Sequence, residues 1–130
     1  MSGETNLEVL IQTMTTDLVE GVYVFVTNAE IPSHITPRMM FQEAEGPTYI
    51  ILQSQAKAAG IAYEFPCCMI TLNIHSSLEA VGFMARIATE LAKHDMGVNP
   101  VSGFFHDHLF VPEDRAQDAI AVLRKMSEAA

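Results

Sequence analysis

Basic residues are scarce in this chain. Seven Lys and Arg stand against 16 Asp and Glu, a formal net charge of −9 over 130 residues. Residues 1–66 hold 8 acids and 2 bases, and residues 67–130 hold 8 and 5. Neither half carries the clustered Lys and Arg on which binding to nucleic acid phosphates or anionic lipid depends, so both partners are excluded. Apolar runs are short: none approaches the roughly 18 residues of a membrane span. The start, Met1-Ser2-Gly3-Glu4, lacks the basic segment of a secretion signal, and a cytoplasmic location is expected. Cysteine is nearly absent. The two present, Cys67 and Cys68, are adjacent, point to opposite faces of a strand and lack the C-x-x-C spacing of a redox pair. They read as reduced, buried small hydrophobes. No Gly-rich phosphate loop, no Cys-His pairing at a known spacing and no G-x-S-x-G occurs, and the acids are scattered. No catalytic residue, cofactor or resident metal is therefore expected.

What is present suffices for a packed interior. The chain is 49% hydrophobic, and its length suits one domain or two very small ones sharing a core. Thr5-Asn6-Leu7-Glu8 fits a capping box, and Leu7, Leu10, Ile11 and Met14 share a helical face, so a helix is expected up to about Glu20-Gly21. The apolar, β-rich run 22–27 predicts a central strand. A Pro-bearing loop from Asn28 to Arg38 follows, then strands at 40–44 and 48–52 around Gly46, a short helix at 54–59 closed by Gly60, and a strand at 62–65 before Pro66.

In the second half, residues 69–75 alternate. Met69, Thr71, Asn73 and His75 share one face, and Ile70, Leu72 and Ile74 the other. Ser76-Ser77-Leu78-Glu79 fits a second capping box, and Leu78, Val81, Met84, Ala85, Ala88, Leu91 and Ala92 follow at helical spacing to Lys93-His94 and Gly97. A strand over 98–105 is interrupted by Pro100, which places it at an edge or bulge. A turn at His106-Asp107, a return strand at 108–111 and a helix from Glu113 to about Met126 complete the pattern. Residues 68–127 thus read β-α-β-β-α, one strand short of a ferredoxin-like unit. The first half is a weaker echo. Two abbreviated halves, 1–66 and 67–130, are expected to pack as one body, with a strand of the first completing the sheet of the second.

Leu72 through Gly82 resembles the first strand, loop and helix of an ACT domain, and Lys93-His94-Asp95-Met96-Gly97-Val98-Asn99 its approach to the second strand. Phe41 through Thr48, Ile70 through Val81 and Gly103 through Pro112 are similar to runs in small bacterial stand-alone ACT proteins. The resemblance covers most of residues 20–127. It implies an α+β, ferredoxin-like tandem of two βαββα(β) units sharing strands, antiparallel sheets with helices on one face, and a homodimer or larger homo-oligomer. It also implies a regulatory module that binds a small ligand, typically an amino acid. Carried onto this chain, the ligand positions are His75, Ser76, Ser77 and Leu78 in the loop and Val98 and Asn99 at the second strand. Many amino-acid-binding members have an acidic residue and a glycine in that loop, where this chain has Ser76-Ser77, with Gly82 further on.

Two readings stay open at each polar position. The N–H groups of residues 77–79, expected to open a helix, suit a ligand carboxylate, while Ser76 and Glu79 cap that helix in either case. The Asn99 amide can meet a ligand or bond nearby backbone. His106, Asp107 and His108 read first as a turn, then as ligand contacts for His106 and Asp107, and last as part of a zinc site with His75. The function expected is a non-catalytic amino-acid-binding regulatory or sensor module. The alternative is a ligand-free homodimerisation or protein-interaction module.

Overall fold

A computed structural model describes residues 2–27 and 29–130; Met1 of the segment Met1-Ser2-Gly3-Glu4 and Asn28 of the expected loop lie outside the described residues. The elements in order are α1 (Leu7–Thr13), β1 (Thr16–Leu18), β2 (Tyr23–Thr27), β3 (Met39–Glu43), β4 (Gly46–Leu52), α2 (Gln53–Ala59), β5 (Glu64–Leu72), α3 (Phe83–Lys93), β6 (Asn99–Ser102), β7 (Asp107–Pro112), a 3₁₀ turn (Glu113–Arg115) and α4 (Ala116–Ala129). They form two compact units, one of residues 20–67 and one joining the N-terminal 19 residues to 68–130. The sequence places the halves at 1–66 and 67–130; by contact, the N-terminal helix and strand pack with the C-terminal residues.

In the 20–67 unit the strands lie in the order β3-β4-β2-β5, and each neighbouring pair is antiparallel. Only β2, β3, β4, α2 and the first residues of β5 are regular, so the unit is a βαββαβ pattern whose first helix is replaced by a loop. Ala56 of α2 closes a core of Val24, Val26, Ile35 and Ile51. Gly60 ends α2 in the left-handed region at φ 68°, a conformation glycine adopts at little cost.

The other unit shows the same strand order. β6, β7 and β5 lie side by side, and β1 pairs antiparallel with β5, Thr16 opposite Leu72 and Leu18 opposite Ile70. The expected sharing of strands is therefore present: β1, which precedes the first unit in the chain, fills the fourth position of this sheet. α1, α3 and α4 cover one face. Their Leu10, Ile11, Phe83, Ile87, Leu91, Ala119 and Leu123 pack with Ile70, Leu72, Leu109 and Val111 of the strands. α4 runs where the sequence expects it, with Ala116, Ala119 and Leu123 buried and Ile120 and Met126 against the same core.

Several local expectations are corrected. The first helix stops at Thr13 rather than near Gly21, because Thr16–Leu18 is drawn into pairing with β5. Its cap is Asn6, whose Oδ1 accepts from the Val9 N–H at 3.1 Å, and not Thr5. The strands expected at 62–65 and 69–75 are one strand, Glu64–Leu72, which runs through Pro66 and ends before Asn73 and His75. The alternation of Met69 and Thr71 against Ile70 and Leu72 holds within it. The helix expected from Ser77 begins only at Phe83. Gly82 sits at φ 90°, which a right-handed helix cannot include, and it interrupts what the S-x-x-E signature suggests. Leu78 and Val81, expected on the apolar face, are 57% and 84% exposed; Leu91 is buried as expected, together with Phe83 and Ile87, which the spacing left out. The last hairpin turns at 103–106, closed by Gly103 N–H donating to the His106 carbonyl at 2.9 Å, so Asp107 belongs to β7 and not to the turn. Pro100 lies in β6, which ends the strand order, in agreement with an edge position.

Candidate functional site

The residues between β5 and α3 form a structured loop. The Ala80 N–H donates to the Ser77 carbonyl at 3.0 Å, and the Glu79 N–H to Ser77 Oγ at 3.1 Å. This is a tight turn closed by a hydroxyl, a local arrangement that competes with helix. The N-terminal arm lies along the same loop. The Glu4 N–H donates to the His75 carbonyl at 2.8 Å, and the Ser77 N–H donates to the Glu4 carbonyl at 2.9 Å. Gly3 fits there because a Cβ would stand 2.7 Å from the Ser77 nitrogen. Two of the N–H groups read as ligand donors, those of Ser77 and Glu79, are therefore already bonded inside the protein. The helix N-terminus expected at 77–79 is displaced to Phe83, where α3 has no side-chain cap.

Asp107, the first residue of β7, points to the helix-covered face with Leu109 and Val111, since alternate residues share a face. It is 8% exposed. Ser76 Oγ donates to its Oδ2 at 3.1 Å, and Ser102 Oγ donates to its Oδ1 at 2.6 Å. Ser102 is its cross-strand partner, which fixes this geometry. Two hydroxyl donors, one from each side, thus satisfy the oxygens of a buried carboxyl group. It lines a cleft of about 160 Å³ together with Ser76, Ser77, Leu78, Gly103 and the first turn of α3 at Phe83 and Met84.

Of the sequence-derived positions, Ser76, Ser77, Leu78 and Asp107 meet at this cleft. His75 lies in the same loop, with its ring 5.4 Å from that of Phe105 and 6.0 Å from that of Phe104. Val98 packs against the core, Asn99 is exposed at the far end of β6 opposite Phe110, and the His106 ring meets that of His108 edge-on, centroids 6.4 Å apart; none of the three lines the cleft. Ser102 and the start of α3 were not legible as site residues. Ser102 becomes one only once the hairpin register sets it opposite Asp107. Three larger grooves, about 240, 390 and 460 Å³, border α4, but none is lined by a buried polar side chain. Among the described residues no group of three or more His, Cys, Asp or Glu is placed to hold a metal ion. His108 Nδ1 lies 3.0 Å from Thr71 Oγ1, on the sheet face opposite Asp107. No helix of the described residues is long and apolar enough to cross a membrane.

Cys67 and Cys68 carry no disulfide. Cys67 is fully buried, with its thiol 3.3 Å from the Tyr23 carbonyl. Burial, and then the charge of Glu113, raise the Cys68 thiol above its ordinary value.

Two small α+β units with the ferredoxin strand order, one carrying a polar cleft between its first loop and its second hairpin, are the architecture of a tandem ACT-type domain. The chain belongs to the ACT-domain family: residues 2–68 and residues 64–125 each match the ACT domain. It is similar to a protein of unknown function from Vibrio cholerae, described as a possible transport protein, with 38% identity over 93% of this chain and 95% of that one and a TM-score of 0.84. A protein from Agrobacterium tumefaciens shares 14% identity over 88% of this chain and 89% of that one, TM-score 0.70. The regulatory subunit of aspartate kinase from Thermus thermophilus shares 11% identity over 89% of this chain and 97% of that one, TM-score 0.66, a likeness of fold. Among curated proteins no sequence matches.

Proposed function

We propose that this protein is a regulatory module that binds a small amino acid in the cleft at Asp107 and performs no chemistry itself. ACT domains are commonly regulatory amino-acid-binding modules, and the observation that supports a ligand here is the buried Asp107 carboxylate facing a cleft. An α-ammonium group would complete that carboxylate's hydrogen bonds. The α-carboxylate would meet the uncapped first turn of α3, where Phe83 and Met84 line the same cleft and the helix dipole is positive. Ser76 and Ser77 orient the loop, and Leu78 offers an apolar flank. His75, Val98, Asn99 and His106 act at a distance, as supports of the loop and hairpin. Binding would shift a conformational or assembly equilibrium in proportion to its preference between states.

A second reading has its own support. Phe104 and Phe105 are 53% and 61% exposed at the tip of the β6–β7 hairpin beside His75, which favours an assembly surface, a homodimer included.

Thermal unfolding with each amino acid tests the first reading. A ligand at about 100 times its Kd stabilises by roughly 2.7 kcal/mol, a rise of several degrees in a domain of this size. The rise is expected with at least one small amino acid and is lost in Asp107→Asn. No rise with any amino acid at millimolar concentration overturns the reading.

A further inference from the structure

We propose that the 20–67 unit carries a separate binding site for small carboxylate-bearing molecules, anchored on the Arg38 guanidinium. The loop that replaces the first helix of this unit builds it. Ile35 of that loop is 4% exposed and belongs to the core, and its N–H donates to the Pro32 carbonyl at 3.0 Å. Its neighbours His34 and Thr36 are thereby turned outward and are exposed. The Arg38 N–H donates to the Ile50 carbonyl at 2.7 Å, which ties the end of the loop to β4. The loop therefore presents His34, Thr36 and Arg38 on a fixed backbone.

The Arg38 side chain is also held. One guanidinium nitrogen, Nη2, donates to the Tyr23 hydroxyl at 2.7 Å, and Cζ stands 5.4 Å from the centroid of that ring. Tyr23 is 4% exposed, so the platform is part of the core. An Arg has five N–H donors in a planar fork, and this contact takes one of them. Among the described residues no carboxylate pairs with Arg38. The guanidinium borders a cleft of about 440 Å³, which Thr36, His34 and Gln55 line with polar groups and Leu52 and Pro37 with apolar ones.

The chemistry of the occupant follows. A planar fork matches a carboxylate in two parallel hydrogen bonds. Thr36 and Gln55 can donate to it or to a second polar group. The net negative charge of the chain disfavours polyanions, which confines the occupant to small acids. The site differs from the Asp107 cleft, whose anion selects an ammonium group, so an acid with no amino group distinguishes the two.

Succinate and glutarate are the probes, titrated into the full chain and followed by ¹H–¹⁵N NMR, with inorganic phosphate as a parallel arm. Succinate or glutarate is expected to give saturable shifts at Thr36, Arg38 and Gln55 and to leave Ser76 and Asp107 unmoved. Arg38→Gln should weaken binding about tenfold or more, the scale of a charge-assisted hydrogen bond. Arg38→Lys keeps the charge but not the fork; it should weaken binding severalfold and carries the same test if Arg38→Gln loses its dispersed spectrum. The proposal is overturned by the absence of saturable shifts at tens of millimolar, by undiminished binding in these variants, or by saturation with phosphate but with neither dicarboxylate.

Discussion

Asp107 gathers the hydroxyls of Ser76 and Ser102, and its effect on stability is separable from any effect on binding. Asp107→Ala leaves two hydroxyl donors without their acceptor and is expected to destabilise by about 1–3 kcal/mol. Urea unfolding at neutral pH measures this, and an unchanged midpoint would show that the network contributes nothing. The cysteines give a pH test. Because burial raises the Cys68 thiol, the folded state favours its neutral form. The stability this contributes is complete below the ordinary thiol value of 9.0 and is lost as pH rises through the raised one. In a Cys67→Ala chain, the iodoacetamide reaction rate is expected to inflect above pH 9.0. An inflection below it would contradict the environment described. Both cysteines were legible as unpaired from adjacency alone. Asp107 was legible as a candidate, but its partners were not, because Ser102 meets it only through the register of a hairpin whose turn lies at 103–106.

At the scale of elements, the apolar patterns placed β2 and α4 well, because pattern and burial coincide there, while β3, β4 and α2 were placed by the turn at Gly46 and the stop at Gly60. It failed around α3. The run Leu78–Ala92 carries helical spacing and a capping signature, yet the left-handed backbone of Gly82 excludes its first turns from the helix. Gly82→Ala is expected to cost about 1–2 kcal/mol from backbone strain. Steric conflict adds little, since the nearest atom to a new Cβ would be Leu7 Cδ2 at 3.5 Å. A chemical-denaturation midpoint equal to that of the parent would show that the loop can move to a helical conformation and that the cleft geometry at 76–82 is soft. β1 was missed for a different reason. Three residues carry too little periodicity to declare a strand, and Thr16–Leu18 becomes one only because β5 offers it an open edge.

For the whole molecule, the consequence of that pairing is that the C-terminal elements do not make a complete unit. Leu10, Ile11 and Met14, all at or below 3% exposed, belong to the same core as β5, α3 and α4. At about 1.5–3 kcal/mol per buried side chain, three of them amount to much of a total stability of roughly 5–15 kcal/mol. Deleting residues 1–19 is therefore expected to collapse the dispersed NMR spectrum of residues 68–130. A spectrum that survives the deletion would mean that β5, β6 and β7 with their helices fold unaided. The sequence by itself determined the class: an acidic chain without basic clusters, long apolar runs or catalytic spacings, holding two abbreviated β-α-β-β-α patterns with family-specific strings. Those properties are local or compositional, and a linear chain displays them. Only the tertiary structure decided which N-terminal strand closes the second sheet, where α3 begins, and that Ser76, Ser102 and Asp107 face one cleft. Each of these depends on a contact between residues far apart in the chain, on a register that can slip by one residue, or on a backbone angle that no side-chain pattern records.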